Sequence, residues 1–152
     1  MSETPDFVEL ARHYASLAPG QKAELRRIAA PEEVGERPAF YRLFPGQPAT
    51  PQRARLVFLL PYAAHRNGVP SFARQLVAKK ASEARLIQLI RAEAPHDLVY
   101  LRRLLHWLDQ PQDWNEFGSL LWFWGEERKR RLLEDYFIAK TTPAKEKTHE
   151  PA

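Results

Sequence analysis

Cysteine is absent from the 152 residues, which excludes a disulfide framework, a thiolate nucleophile and cysteine-ligated zinc. A chain without thiols fits a reducing compartment. Glycine is scarce as well: six residues are spread thinly, with no glycine-rich phosphate loop and no glycine-flanked serine elbow. A backbone cradle for a nucleotide is therefore not expected. There is no His-Glu-x-x-His motif, and His13, His65, His96 and His106 lie far apart, as structural histidines at helix edges do. No apolar run approaches the roughly 18 residues of a membrane-spanning helix. The start, MSETPDFVEL, carries acids where a signal peptide would carry basic residues. The expectation is a cytoplasmic protein with no membrane partner, no metal and no cofactor.

Acid is missing from one long stretch. Between Arg37 and Lys80 there are eight basic residues, Arg37, Arg42, Arg53, Arg55, Arg66, Arg74, Lys79 and Lys80, and not one Asp or Glu. This leaves 15 basic residues for the rest of the chain against all 19 acids, so a formal charge of +4 hides a strongly uneven distribution. A local positive field in an otherwise acidic chain favours a polyanionic partner such as nucleic acid. The alternative is a basic surface that meets acidic faces of other subunits.

What is present is ordinary for a globular protein, with 44% hydrophobic and 28% charged residues. A chain of this length typically buries about 70% of the surface its unfolded form exposes, enough for one core without staples. Strand alternation does not persist and no internal repeat is found. The sequence predicts an all-α, single, non-symmetric bundle of about seven to nine helices over residues 1–139, followed by a disordered tail over 140–152.

Thr4 is a candidate cap with Pro5 at the first helical position, and Pro19-Gly20 is expected to end that helix. A second helix is expected over Gln21–Ala30, an irregular segment from Pro31, and a short helix over Ala39–Phe44. Thr50-Pro51 opens a helix whose Leu56, Val57, Phe58, Leu59 and Leu60 predict burial on all sides, broken at Pro61. Ser71 caps a helix running to Lys80. From Ser82 to Leu108 two amphipathic patterns meet at Pro95. In the first, Leu86, Ile87, Leu89 and Ile90 face inward and Arg85, Gln88 and Arg91 outward. In the second, Leu98, Leu101, Leu104, Leu105 and Leu108 form the stripe with Arg102 and Arg103 on its edge. Asp113 and Glu116 resemble a capping box before Trp114, Phe117, Leu120, Leu121 and Trp124. The last helix spans Glu126–Ile138, with Leu132, Leu133, Tyr136 and Phe137 inward.

Few of these features suggest chemistry. The carboxylate pairs Glu32-Glu33, Glu126-Glu127 and Glu134-Asp135 fall at helix starts or on solvated faces, and an enzyme is not expected. Leu121-Trp122-Phe123-Trp124 can either close the bundle or stack bases, with closure the simpler reading. Arg128-Lys129-Arg130-Arg131 reads as a solvated face paired with nearby acids. Arg26-Arg27 and Arg102-Arg103 have few acids placed to neutralise them, and guanidinium groups suit phosphate oxygens.

Three segments in order, AELRRIAAPEEVGERPAFYRLF, SEARLIQLIRAEAPHDLVYLRRLL and DWNEFGSLLWFWGEERKRRLLEDYFI, resemble the CasB family, the small subunit of the type I-E CRISPR Cascade complex. The similarity covers Ala23 to Ile138 and rests on order, spacing and the tryptophan-rich end together. It implies an all-helical, non-catalytic subunit of an RNA-guided surveillance complex in antiviral defence. Such a subunit is present as a pair with a second copy of itself, packs against the large subunit and the backbone subunits, and helps to hold CRISPR RNA, target DNA and the displaced strand. Carried over by residue, Arg26, Arg27, Arg37, Arg42, Arg85, Arg91, Arg102 and Arg103 match the family's basic positions. Arg74, Lys79 and Lys80 join the nucleic-acid-binding candidates on the charge argument alone. Ala73 departs from the serine, any residue, glycine pattern of relatives. A structural adaptor without nucleic-acid contact, or a stand-alone DNA-binding regulator, are the competing readings.

Overall fold

The computed structural model describes residues 4–142. Nine α-helices follow one another among the described residues: α1 Phe7–Ala15, α2 Pro19–Arg26, α3 Pro38–Leu43, α4 Pro51–Leu59, α5 Phe72–Ala78, α6 Glu83–Arg91, α7 His96–Leu108, α8 Trp114–Trp122 and α9 Glu126–Thr141. Two 3-10 segments, Pro31–Glu36 and Leu60–Tyr62, complete the helical elements, and no strand occurs among the described residues. The fold is all-α.

Local chemistry starts most of these helices. Thr50, Ser71, Ser82 and Asp113 each accept a hydrogen bond from a backbone N–H in the first turn, and Pro51 sits where a missing donor costs nothing. Pro61 ends α4 as predicted, and the chain tightens into Leu60–Tyr62. Three boundaries of the first two helices differ from expectation. Asp6, rather than Thr4, caps α1, because its carboxylate accepts from the Glu9 amide. Pro19-Gly20 does not merely end α1; Pro19 opens α2, and the Gln21 side chain accepts from the Ala18 amide. α2 stops at Arg26 instead of Ala30, since Pro31 drives the preceding residue into extended backbone.

α4 forms the middle of the core, with Leu56, Val57, Phe58, Leu59 and Leu60 all buried. It packs against α8, α7 and the Pro31–Glu36 segment, while α1 lies on α8 and α9 spans α5 and α6. Phe7 of α1 comes so near Gly118 of α8 that a Cβ there would overlap its ring. The α6–α7 hairpin contributes Leu86, Leu89, Leu98, Leu101, Leu104, Leu105 and Leu108. Ile87 and Ile90 are only half-buried, and Phe137 is exposed rather than inward, because α9 turns its Leu132 and Tyr136 face to the core. α9 continues to Thr141, and Lys140 Nζ reaches Glu83 Oε2 at 2.9 Å; residues 143–152 of the expected tail lie outside the described residues.

One ion pair lies inside the bundle. Lys129 and Asp97, 2% and 1% exposed, meet at 2.7 Å, and Trp124 Nε1 donates to the same carboxylate oxygen at 3.0 Å. Lys129 also donates to Ala92 O at 2.9 Å. The reading of residues 128–131 as a solvated face is therefore corrected at Lys129: its turn of α9 faces the start of α7, where Asp97 supplies the countercharge. Trp122 and Trp124 are buried, which closes the bundle, and Phe123 alone of that run is exposed.

Candidate nucleic-acid interface

Helix periodicity on α7 sets the site. Tyr100, Arg103 and Trp107 are three and four residues apart and so stand above one another, with Arg102 and His106 on the adjoining strip. The opposite face carries the buried leucines, which fixes this one outward.

Cations from three other segments collect around it. From the acid-free stretch, Lys79 Nζ donates to Trp107 O at 2.9 Å and Leu108 O at 3.0 Å and lies 4.9 Å from the centre of the Trp107 ring. From α6, the Arg85 guanidinium lies 5.1 Å from the same ring. Arg91, at the end of α6, shares a shallow groove with Arg85, Gln88 and Tyr100, and Arg103 lies 5.6 Å from the Tyr100 ring. Lys80 is exposed next to Lys79, in the left-handed conformation. On the other side, Arg102 donates to Ile28 O and Ala29 O and covers the Phe58 ring at 4.3 Å. Tyr62, whose hydroxyl donates to Arg26 O at 3.2 Å, links that point to exposed Arg26 and Arg27 at the end of α2. Arg26 also lies close enough to Tyr14 to oppose the rise that burial imposes on the Tyr14 phenol pKa.

Arg26, Arg27, Lys79, Lys80, Arg85, Arg91, Arg102 and Arg103 thus border one surface centred on α7, and none of them forms an ion pair among the described residues. Arg102 differs from the rest: it is half-buried and its donors are taken by carbonyls that end the α2 region. The structure ties the other three candidates to different places. Arg37 pairs with Glu33 at 3.2 Å, Arg42 is exposed on the last turn of α3, and Arg74 faces the groove between α5 and α9 that Asp135 also lines.

Part of the acid-free stretch serves the fold. Arg55 donates to Leu121 O at 2.7 Å and Trp122 O at 2.9 Å, closing the end of α8, and burial pulls its pKa down. Arg53 donates to Pro48 O at 3.0 Å. The sequence reading missed Tyr62, Tyr100, His106 and Trp107 at the surface, although the spacing of Tyr100, Arg103 and Trp107 carries the signal. The exposed guanidinium and ammonium groups can bind phosphate oxygens as charge-assisted donors. Among the described residues no group of three or more His, Asp or Glu side chains is placed to hold a metal, and no helix is long and apolar enough to cross a membrane.

Comparison with known proteins gives one answer. The chain is 32% identical to the CRISPR system Cascade subunit CasB of Escherichia coli (strain K12), over 91% of this chain and 96% of that protein. It superposes with a TM-score of 0.83 on a chain from the crystal structure of E. coli Cascade bound to a PAM-containing double-stranded DNA target, at 34% identity, covering 91% of this chain and 98% of that one. The family described as CRISPR-associated protein Cse2 matches residues 21–137, most of what builds the α7 surface and the core beneath it, and the chain belongs to that family.

Proposed function

We propose that this chain is a non-catalytic small subunit of an RNA-guided Cascade complex, and that its α7 surface holds nucleic-acid backbone. The relatives support the first part: one is named as a Cascade subunit, and the other is a chain of Cascade bound to double-stranded target DNA. One observation carries the second part. Cations that the sequence scatters over α2, the acid-free stretch, α6 and α7 gather on one face without carboxylate partners among the described residues. In RNA-guided recognition base pairing reads the sequence, and protein contacts to the backbone tip a nearly balanced strand exchange. Exposed point charges and forks suit such a role, because they hold guide RNA, target strand or displaced strand without reading bases. The large subunit, the backbone subunits and a second copy of this chain are the protein partners in this reading.

The test is anisotropy of the purified full chain on a mixed-sequence single strand across a salt series. Alanine at Arg26, Arg27, Arg91 and Arg103 lowers the slope of log affinity against log salt by about 0.7 for each phosphate no longer neutralised, with an unchanged melting temperature. In the assembled complex the same variant releases an opened target sooner. Absent or salt-insensitive binding by the wild-type chain, with assembly intact, overturns the nucleic-acid reading and leaves an adaptor. Strong preference for one duplex sequence points instead to a regulator.

A further inference from the structure

Two cations share one indole at the end of α7. Lys79 reaches the Trp107 ring from the end of α5, and Arg85 reaches it from the first turn of α6. Both charges stand within about one Debye length of each other, ~10 Å at 0.1 M salt, so their repulsion is not fully screened. Neither is at ion-pair distance from a carboxylate among the described residues; Asp109 at the end of α7 makes no ion pair there, and Glu83 is engaged by Lys140. Lys79 is held further by the carbonyls of Trp107 and Leu108, which occupy two of its three donors and leave one. Arg85 keeps its whole fork, with no hydrogen bond from its guanidinium to the rest of the described chain.

An indole within reach of two like charges, one of them tied to backbone, leaves both with donors that an anion can take. The ring face offsets part of the repulsion. A phosphodiester between the two groups would offset the rest. We propose that Trp107 is a positioning residue that presents Lys79 and Arg85 as one phosphate-binding point for a polynucleotide strand. The inference rests on the nucleic-acid reading of the α7 surface and adds to it a defined subsite. Trp107 acts there through its two cations rather than by stacking on a base.

The probe is a labelled mixed-sequence single-stranded DNA titrated with the purified full chain across a salt series. Lys79→Gln with Arg85→Gln lowers the salt slope by about 0.7, the loss of one shared phosphate. Trp107→Leu lowers it by the same amount, Trp107→Phe restores it because a ring face remains, and Trp107→Leu added to the double variant changes nothing more. An additive effect means that Trp107 contacts the strand itself and overturns the proposal. So does an unchanged slope in Trp107→Leu. The Lys79→Gln and Arg85→Gln cycle reads the same point without altering the ring: the two changes are coupled if they share a phosphate, and independence overturns the inference. Wild-type binding that persists while these variants behave as wild type removes the subsite and spares the wider reading. Wild-type failure to bind removes both.

Discussion

Lys129 stands inside a run of four basic residues, yet it is the one that the protein cannot give up to solvent. Removing it strands the Asp97 carboxylate in the core, with Trp124 Nε1 as its remaining donor. Breaking one side of a buried pair costs about 3–5 kcal/mol, so Lys129→Ala should lose that much in urea unfolding, far more than Arg130→Ala beside it. A loss below about 1 kcal/mol would mean that the carboxylate finds another partner. Neither residue's role is legible locally: 32 positions separate Asp97 from Lys129, and four consecutive cations do not declare which one turns inward. The same holds for Lys79 and Trp107, 28 residues apart and brought together only by the way α5 returns to the end of α7. Arg26-Arg27 and Arg102-Arg103 were legible as unpaired charge. That Arg102 spends its donors on carbonyls was not, because backbone acceptors leave no mark in a sequence.

Helices were legible where a side chain sets their start. Thr50, Ser71 and Asp113 act within three residues of themselves, so spacing suffices to find them. Helix ends set by the chain beyond, such as the stop of α2 at Arg26, were less so. Asp113 offers a test of such a cap. Its pKa is lowered, first by the hydrogen bond from the Gly68 amide and then by those from Asn115. A lowered carboxyl pKa stabilises the fold above the ordinary value of 3.8, and that stabilisation disappears as pH falls through the folded-state value. Asp113→Ala should therefore cost about 1 kcal/mol near neutrality, and thermal melts of variant and wild type should converge in strong acid. A gap that does not change with pH would assign the effect to packing. Between helices, Gly118 lets α1 approach α8. Gly118→Ala gains helix propensity, but its methyl group meets the base of the Phe7 ring. Overpacking of this kind costs about 1–3 kcal/mol, and a net loss in denaturant unfolding is expected. An unchanged midpoint would show that α1 shifts freely.

At the scale of the whole molecule, uneven charge along the sequence favours a polyanionic partner, and the fold shows where those charges lie. The acid-free stretch divides: Arg55 and Arg53 bind backbone carbonyls of the bundle, Lys79 and Lys80 come to α7, and Arg74 faces another groove. The contributors from α2, α6 and α7 lie outside that stretch, so charge counted along the chain points to a kind of partner without locating the surface. The separation also has a consequence for motion. Eight cations border the α7 surface, which leaves 15 basic against 19 acidic residues for the rest of the sequence, so the protein is electrically lopsided. A long polyanion exerts a torque on such a body before touching it, turning the α7 side forward during diffusion. On the proposed nucleic-acid reading, orientation is then chosen in solution, on the way to the encounter, and rising ionic strength slows the arrival of a strand.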